Sequence, residues 1–122
     1  MDWNNRVYQL EVDITRNCNA QCGACARNNY GGETIDGLPL ENFDVSVWNR
    51  LVNTDLANKN IVTLELRGIW GDPCNHPNLP EMLELFCEKN PSAVIFMTTS
   101  GSFQSTHYWE TLARVLKEKS YF

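Results

Sequence analysis

Two stretches of the chain, residues 7–15 and 61–68, alternate apolar and polar side chains with the two-residue period of a β-strand. This period places every second residue on the same side of a strand, so each stretch has one apolar and one polar side. The apolar sides consist of Leu10, Val12 and Ile14 in the first stretch and of Val62, Leu64 and Leu66 in the second. Residues 93–101 form a third predicted strand.

A helical pattern follows each of these strands. Its apolar positions are Val47, Trp48 and Leu51 in residues 43–57, and Tyr108, Leu112 and Val115 in residues 105–119. Residues 79–90 carry Pro80 near their start, which fits a first helical turn because the missing N–H would have no partner there. The last three residues, 120–122, are predicted to open a fourth strand. Strands that alternate with helices predict an α/β fold with a parallel sheet.

The sides of the strands opposite the helices carry the charged residues Glu11, Asp13, Glu65 and Arg67. A flat sheet with solvent on one face would explain them, and so would a curved half-barrel with a polar lumen. We favour the half-barrel, because parallel sheets rarely leave a face uncovered. The four side chains then form cross-strand ion pairs or contact a substrate. In either arrangement the loops that follow the strands meet at one rim, where such folds place their sites.

Composition and charge narrow the class of protein. A chain of 122 residues with 43% hydrophobic residues can bury one core, so we expect a single folded domain. The formal net charge of -5 disfavours a nucleic-acid partner, since no broad basic surface is available for phosphates. No apolar run approaches the roughly twenty residues of a membrane span. The opening "MDWNNR" lacks the basic and apolar parts of a signal peptide, so we expect a cytoplasmic location.

Three of the five cysteines lie together in the loop after the first strand, spaced Cys18-x3-Cys22-x2-Cys25. An odd number of cysteines in a reducing compartment disfavours a disulfide framework. Thiolates this close in sequence can bind one metal ion or cluster, so the loop is predicted to be a ligand site. Cys87 falls within a predicted helix and is expected to be a buried, small apolar residue.

The loop supplies three ligands, whereas a zinc tetrahedron or a cubane cluster takes four. Cys74 or His76 could complete a structural zinc site. In a 4Fe-4S cubane, by contrast, three cysteines leave one iron free to bind a substrate or cofactor. His107, in the first turn of a helix, is expected at the surface. Arg27 could reach an anionic group beside a cluster, but a single arginine in a loop is more often solvated, and we expect it to be so here.

The motif C-x3-C-x2-C after the first strand of an α/β chain resembles that of the radical S-adenosylmethionine (radical SAM) enzymes. The segment "GIWGDPCNHPNL" resembles the Gly-Gly-Glu-Pro loop of that family, with residues 70–73 in its four places. The turn "TTSGS" resembles the family's Thr-Asn-Gly turn, with Ser100 in the Asn place. Three positions depart from the family pattern: Trp70 and Asp72 replace Gly and Glu, and Ala24 occupies a usually aromatic position near adenine.

The resemblance implies a function and a set of site residues. Cys18, Cys22 and Cys25 would hold a 4Fe-4S cluster whose open iron chelates SAM, and Gly71 with Asp72 would meet the methionyl ammonium. The implied cofactor-binding residues are Gly71, Asp72, Pro73, Ser100 and Gly101. An external electron donor would reduce the cluster, and SAM would be cleaved to methionine and a 5'-deoxyadenosyl radical. That radical would take a hydrogen atom from a small-molecule or peptide substrate.

The family core usually has six strand-helix units, and this chain contains three. We therefore expect residues 1–122 to form the N-terminal portion of a radical SAM core, a parallel (βα)3 half of a partial TIM-type barrel. Its sheet would be open at the edge after the third unit, so a second chain completing the barrel is an expected partner. Two alternatives are a non-catalytic half-domain that binds a cluster or SAM, and a zinc-stabilised structural module.

Overall fold

The computed structural model describes residues 7–57 and 59–117. Its elements follow in the order β1 (Val7–Glu11), α1 (Val45–Arg50), a π-helical turn (Leu51–Asp55), β2 (Asn60–Leu66), a 3-10 turn (Pro73–Asn75), α2 (Leu79–Lys89), β3 (Val94–Met97) and α3 (Thr106–Leu116). The strands form one parallel sheet in the order β1-β2-β3. The predicted α/β class is confirmed. The fourth strand expected at residues 120–122 lies outside the described residues.

Strand β1 is shorter than the predicted span of residues 7–15, because the chain changes partner after Glu11. The N–H of Phe43 donates to the carbonyl of Ile14 at 2.8 Å, and the N–H of Arg16 donates to the carbonyl of Glu41 at 2.9 Å. Ile14 nevertheless remains in the core, as its alternation predicted. The residues after β1 therefore leave the sheet to pair with the segment that precedes α1.

Strand β2 contains a β-bulge that the alternating pattern did not predict. Tyr8 pairs with Ile61 and Gln9 pairs with Thr63, so Val62 has no residue opposite it. One extra residue turns the following side chains to the other face of the strand. Ile61 is therefore buried together with Leu64 and Leu66, whereas Val62 is 37% exposed. The prediction that Val62 faces the core is wrong.

Helix α1 buries a different stripe from the predicted one. The Asp44 side chain caps the helix by accepting hydrogen bonds from the N–H groups of Ser46 and Val47. Trp48 in α1 and Val52 in the π-helical turn lie four residues apart and are fully buried, whereas Val47 is exposed. Trp48 donates its indole N–H to the carbonyl of Met82 at 2.9 Å, which fixes α1 against α2. The predicted burial of Trp48 is confirmed, and the prediction that Val47 faces the core is wrong.

Helices α2 and α3 agree with the predicted pattern. The Ser105 side chain caps α3 by accepting from the N–H of Tyr108, and Leu112 and Leu116 are buried. Cys87 is buried in α2, as expected for a small apolar residue. Together with apolar residues of the strands, the helices form one hydrophobic core. Among the described residues, no helix has both the length and the apolar character needed to cross a bilayer.

The sheet face that carries the charged residues is polar but not fully solvated. The Glu65 carboxylate is buried there, because Gln9 Nε2 donates to its Oε1 at 2.5 Å and Arg67 Nε lies 2.6 Å from its Oε2. The ion pair joins Glu65 of β2 to Arg67 directly after the strand, so the cross-strand contact comes from Gln9 instead of a charged residue. Phe96 lies opposite Glu65 on β3 and is half exposed.

Candidate functional site

Three loops meet at the carboxyl end of the sheet. We name them the cysteine loop (residues 16–28), the Gly-Asp loop (residues 67–76) and the Ser-Gly loop (residues 98–105). The N–H of Asp72 donates to the carbonyl of Asn17 at 2.9 Å and joins the first two loops. The other two loop pairs are joined by Asn19 Nδ2, which donates to Ser102 Oγ at 3.3 Å, and by Gln104 Nε2, which donates to the Cys74 carbonyl at 2.6 Å. The predicted rim is thus one hydrogen-bonded unit.

Asp72 is the centre of this rim and is only 6% exposed. Its Oδ1 accepts from the N–H of Cys74 at 2.9 Å and so caps the 3-10 turn. Its Oδ2 accepts from the hydroxyl of Thr99 at 2.9 Å and from the N–H and hydroxyl of Ser100 at 2.7 and 2.9 Å. Each carboxylate oxygen has about two acceptor positions, so the three bonds fill Oδ2, and the single bond to Oδ1 leaves one position there. Asp72 therefore holds the Gly-Asp loop to the Ser-Gly loop.

Gly71 allows the Gly-Asp loop to pack against the start of the cysteine loop. A Cβ at this position would lie 2.2 Å from the carbonyl oxygen of Thr15 and 2.8 Å from that of Asn17. At Gly68 a Cβ would lie 1.4 Å from the carbonyl oxygen of Gly71. No side chain fits at either place, because backbone atoms already occupy the space: those of residues 15–17 next to Gly71, and those of Gly71 next to Gly68. The two glycines bring the backbone before Asp72 directly against the residues that lead into Cys18.

The other predicted cofactor-binding residues lie on the same rim. Pro73 is buried at the first position of the 3-10 turn, and Ser100 is exposed although it donates twice to Asp72. Gly101 is exposed with a φ of +67°, in the left-handed region that favours glycine. Its N–H donates to Thr99 Oγ1 at 3.1 Å, which closes the turn. The structure therefore brings these residues together with Gly71 and Asp72.

The three loop cysteines are free thiols, and Cys22 and Cys25 begin two consecutive turns. The N–H of Cys25 donates to the carbonyl of Cys22, and the N–H of Asn28 donates to the carbonyl of Cys25, both at 3.1 Å. Cys22 is exposed, and Cys18 and Cys25 are half-buried. Within residues 7–57 and 59–117, no three His, Cys, Asp or Glu side chains are gathered in a position to hold a metal ion. The loop thus carries a suitable ligand set that is not gathered around one point.

The base of the cysteine loop is fixed by two buried polar residues, Arg27 and Asn28, of which the sequence analysis did not single out Asn28. Arg27 is 3% exposed, and its guanidinium donates to the carbonyls of Cys18 at 3.1 Å and Arg16 at 3.0 Å. Asn28 is also buried and donates from Nδ2 to the carbonyl of Ala20 at 3.3 Å. The expectation that Arg27 is solvated is wrong, because backbone carbonyls of its own loop bind it. The only signal in the sequence was its position two residues after the third cysteine.

The two candidates for a fourth zinc ligand have other partners. His76 is fully buried, and its Nδ1 accepts from the N–H of Asn78 at 3.1 Å. Its Nε2 therefore carries the proton and donates to the carbonyl of Phe43 at 2.9 Å, an assignment made from the hydrogen bonds. The Cys74 sulfur lies 4.0 Å from that of Met97, and burial raises the pKa of the Cys74 thiol. Both residues belong to the packing beneath the rim. His107 is exposed, as predicted.

Cavities lie on both sides of the rim. One of about 310 Å³ borders the cysteine loop and is lined in part by Ala24, Cys25 and Tyr30. Another of about 470 Å³ lies on the polar face of the sheet, against Glu65, Arg67, Phe96, Met97 and Thr98. Both volumes are within the range of small-molecule sites, which are about 300–1,000 Å³.

Solved structures share this fold. The crystal structure of BtrN in complex with AdoMet and 2-DOIA superposes with a TM-score of 0.67 and 18% identity, over 91% of this chain and 43% of that chain. The fold is that of part of BtrN. A crystal structure of selenomethionine BtrN in an open conformation gives a TM-score of 0.58 and 23% identity, over 94% of this chain and 48% of that one. The chain therefore spans less than half the length of BtrN. No family model and no curated protein sequence matches it.

Proposed function

We propose that this chain is part of a radical SAM-type core whose rim binds a 4Fe-4S cluster and AdoMet. One observation carries the proposal: a loop with three free cysteines is bonded through Asn17 and Asp72 to two further loops at the carboxyl end of a parallel sheet. Support for a relation to the radical SAM enzymes comes from the fold shared with BtrN, which was crystallised with AdoMet. The sequence motifs occur at the same three loops.

Cys18, Cys22 and Cys25 would hold the cluster. The chemistry of the donor set fits, since three free thiols on one loop supply the thiolate ligands of a cubane and leave one iron open. When bound, the cluster supplies the electron for reductive cleavage of AdoMet. The three thiols are not gathered around one point, so binding of the cluster would draw them together. Such coupling of metal binding to local folding is common.

The methionyl end of AdoMet would lie against the Gly-Asp loop. Asp72 retains one acceptor position on Oδ1, and its negative charge suits an ammonium group. Its three other bonds, to Thr99 and Ser100, order the Ser-Gly loop on which Ser100 and Gly101 would contact the cofactor. Asp72 would thus both bind the ammonium group of AdoMet and position the Ser-Gly loop.

The substrate would occupy the polar face of the sheet, in the cavity beside Glu65, Arg67 and Phe96. A small molecule or a peptide fits the mixture of a carboxylate, a guanidinium and an aromatic ring. Further strands, from more of the same protein or from a second chain, would complete the partial TIM-type barrel, since the chain covers less than half of BtrN. We further propose that an external electron donor reduces the cluster. A cytoplasmic location agrees with the free thiols, because these are typical of reducing compartments.

A non-catalytic half-domain that binds a cluster or AdoMet is the second candidate, because the sheet of three described strands is open. The zinc-stabilised module has less support. Both ring nitrogens of His76 are hydrogen-bonded and Cys74 is buried, so both candidate fourth ligands are already part of the packing.

AdoMet binding tests the proposal. After anaerobic reconstitution with iron and sulfide, we expect the wild-type chain to bind AdoMet in calorimetric titration and Cys22→Ala to bind at least about ten-fold more weakly. Cys87→Ala is the matched control, because it removes a cysteine from α2, and it should bind like the wild type. Equal binding by Cys22→Ala and the wild type would contradict a cluster-dependent site. Release of 5'-deoxyadenosine with a chemical reductant would separate the enzyme from the non-catalytic half-domain.

A further inference from the structure

The cysteine loop contains a buried cation that has no carboxylate partner among the described residues. Arg27 is 3% exposed, while the side chain of Arg16, in the same loop, is 42% exposed. The ion pairs of the described residues join Arg16 to Glu41 and Arg67 to Glu65. Arginine is seldom fully buried unless it is paired. The charge of Arg27 is therefore balanced only by backbone carbonyls in this part of the chain.

These carbonyls belong to the residues that lead into the first cysteine. The Arg27 guanidinium donates to the carbonyls of Arg16 and Cys18, and the N–H of Asp72 donates to the carbonyl of Asn17 between them. Three successive carbonyl oxygens thus have fixed donors on two different segments. The backbone at Cys18 is held in place by Arg27 from within the loop and by the Gly-Asp loop from outside.

One nitrogen of the Arg27 guanidinium makes no hydrogen bond among the described residues. This nitrogen is Nε, and it is buried. A buried, charged N–H without an acceptor costs stability, and an anionic group nearby would offset that cost. The thiolates that the proposed function assigns to this loop would be such a group.

We propose that Arg27 is a positioning residue of the cysteine loop, which fixes the backbone at Cys18 and supplies a buried positive charge to the ligand set. This proposal rests on the proposed function, in which the loop binds a cluster. The planar guanidinium suits the role, because its fork of N–H donors can span two carbonyls while it keeps its charge. A lysine could supply the charge but not the fork.

Two substitutions separate these contributions. Arg27→Lys keeps the charge and loses the fork, and Arg27→Gln loses both. Arg16→Gln is the matched control, because it removes an exposed arginine of the same loop. The readouts are the iron and sulfide content after anaerobic reconstitution, the midpoint reduction potential of the cluster, and the thermal unfolding of each chain before reconstitution.

We expect both Arg27 variants to contain clearly less iron and sulfide than the wild type after the same reconstitution, since residues that support a metal site typically contribute about ten-fold to metal affinity. The potential should fall in Arg27→Gln and stay close to the wild-type value in Arg27→Lys, since a nearby cation favours the more negative, reduced cluster. Arg16→Gln should change neither quantity measurably. A purely structural role would lower thermal stability without this difference in potential.

If Arg27→Gln has the iron and sulfide content and the midpoint reduction potential of the wild type, the proposal is overturned. Equal reduction potentials in Arg27→Lys and Arg27→Gln would also overturn it. If Arg27→Gln does not fold, Arg27→Lys decides: wild-type iron and sulfide content in that variant would overturn the positioning role. Failure of the wild-type chain to take up any cluster would instead refute the proposed function. Failure confined to the comparison of variants would refute only the role of Arg27.

Discussion

Replacing Gly71 with alanine is expected to destabilise the chain by about 3 kcal/mol or more, because a methyl group would overlap backbone atoms that cannot move independently. The added Cβ would lie 2.2 Å from the carbonyl oxygen of Thr15 and 2.8 Å from that of Asn17. Both carbonyls are backbone, so no side-chain rotation relieves the overlap. The Gly-Asp loop would have to separate from the cysteine loop, and the hydrogen bond from Asp72 to Asn17 would be lost.

Chemical denaturation followed by circular dichroism measures this effect. Gly68→Ala should behave similarly, since its Cβ would lie 1.4 Å from the carbonyl oxygen of Gly71. Gly23→Ala is the matched control: it is the same substitution in the cysteine loop, with nothing within 4 Å of the added Cβ. It should change the free energy of unfolding by less than about 0.5 kcal/mol. A wild-type midpoint for Gly71→Ala would show that the two loops do not pack as described.

Removal of the Asp72 carboxylate is expected to cost about 3 kcal/mol or more of unfolding free energy. Asp72→Ala would leave the N–H groups of Cys74 and Ser100 and the hydroxyl of Thr99 without their acceptor. Hydrogen bonds to a charged group are worth more than neutral ones, and buried donors that lose their acceptor keep the full cost of desolvation. Asp72→Asn should cost less than Asp72→Ala, because the amide oxygen can still accept at the position of Oδ2, and the NH₂ then faces only the N–H of Cys74.

The same denaturation experiment, combined with limited proteolysis, separates local from global effects. Asp72→Ala should lower the denaturation midpoint and make the Ser-Gly loop susceptible to cleavage, since that loop loses its bonds to Oδ2. Asp36→Ala is the matched control, because Asp36 is exposed. A change of less than about 0.5 kcal/mol in Asp72→Ala, within the range of ordinary surface substitutions, would contradict the role of Asp72 as the link between the loops.

The order of elements and the position of the rim could be predicted because they depend on periods and spacings within single segments. The β-bulge at Val62 could not, since it is defined by the residue of β1 that faces each residue of β2. The end of β1 likewise depends on where residues 41–43 pair. Such features arise between segments that are far apart in the sequence, and a pattern read along one segment does not contain them.

The site residues divide in the same way. The three cysteines were predicted as site residues from their spacing, and Asp72 from its place in a loop motif. The burial of Arg27 depends on carbonyls that the loop presents when it folds back on itself, and backbone carbonyls are the same at every position of a sequence. Gly68 was missed because its importance comes from the approach of Gly71, three residues away, in the folded loop.

Metal content is the most direct test of the central claim that the cysteine loop holds an open-site cluster. Iron, acid-labile sulfide and zinc would be measured in the wild-type chain and in Cys22→Ala after anaerobic reconstitution, together with the visible absorption spectrum. We predict about four irons and four sulfides per wild-type chain, with the spectrum of a 4Fe-4S cluster, and their loss in Cys22→Ala. About one zinc per chain without sulfide would contradict the claim, and the three cysteines would then form part of a structural zinc site.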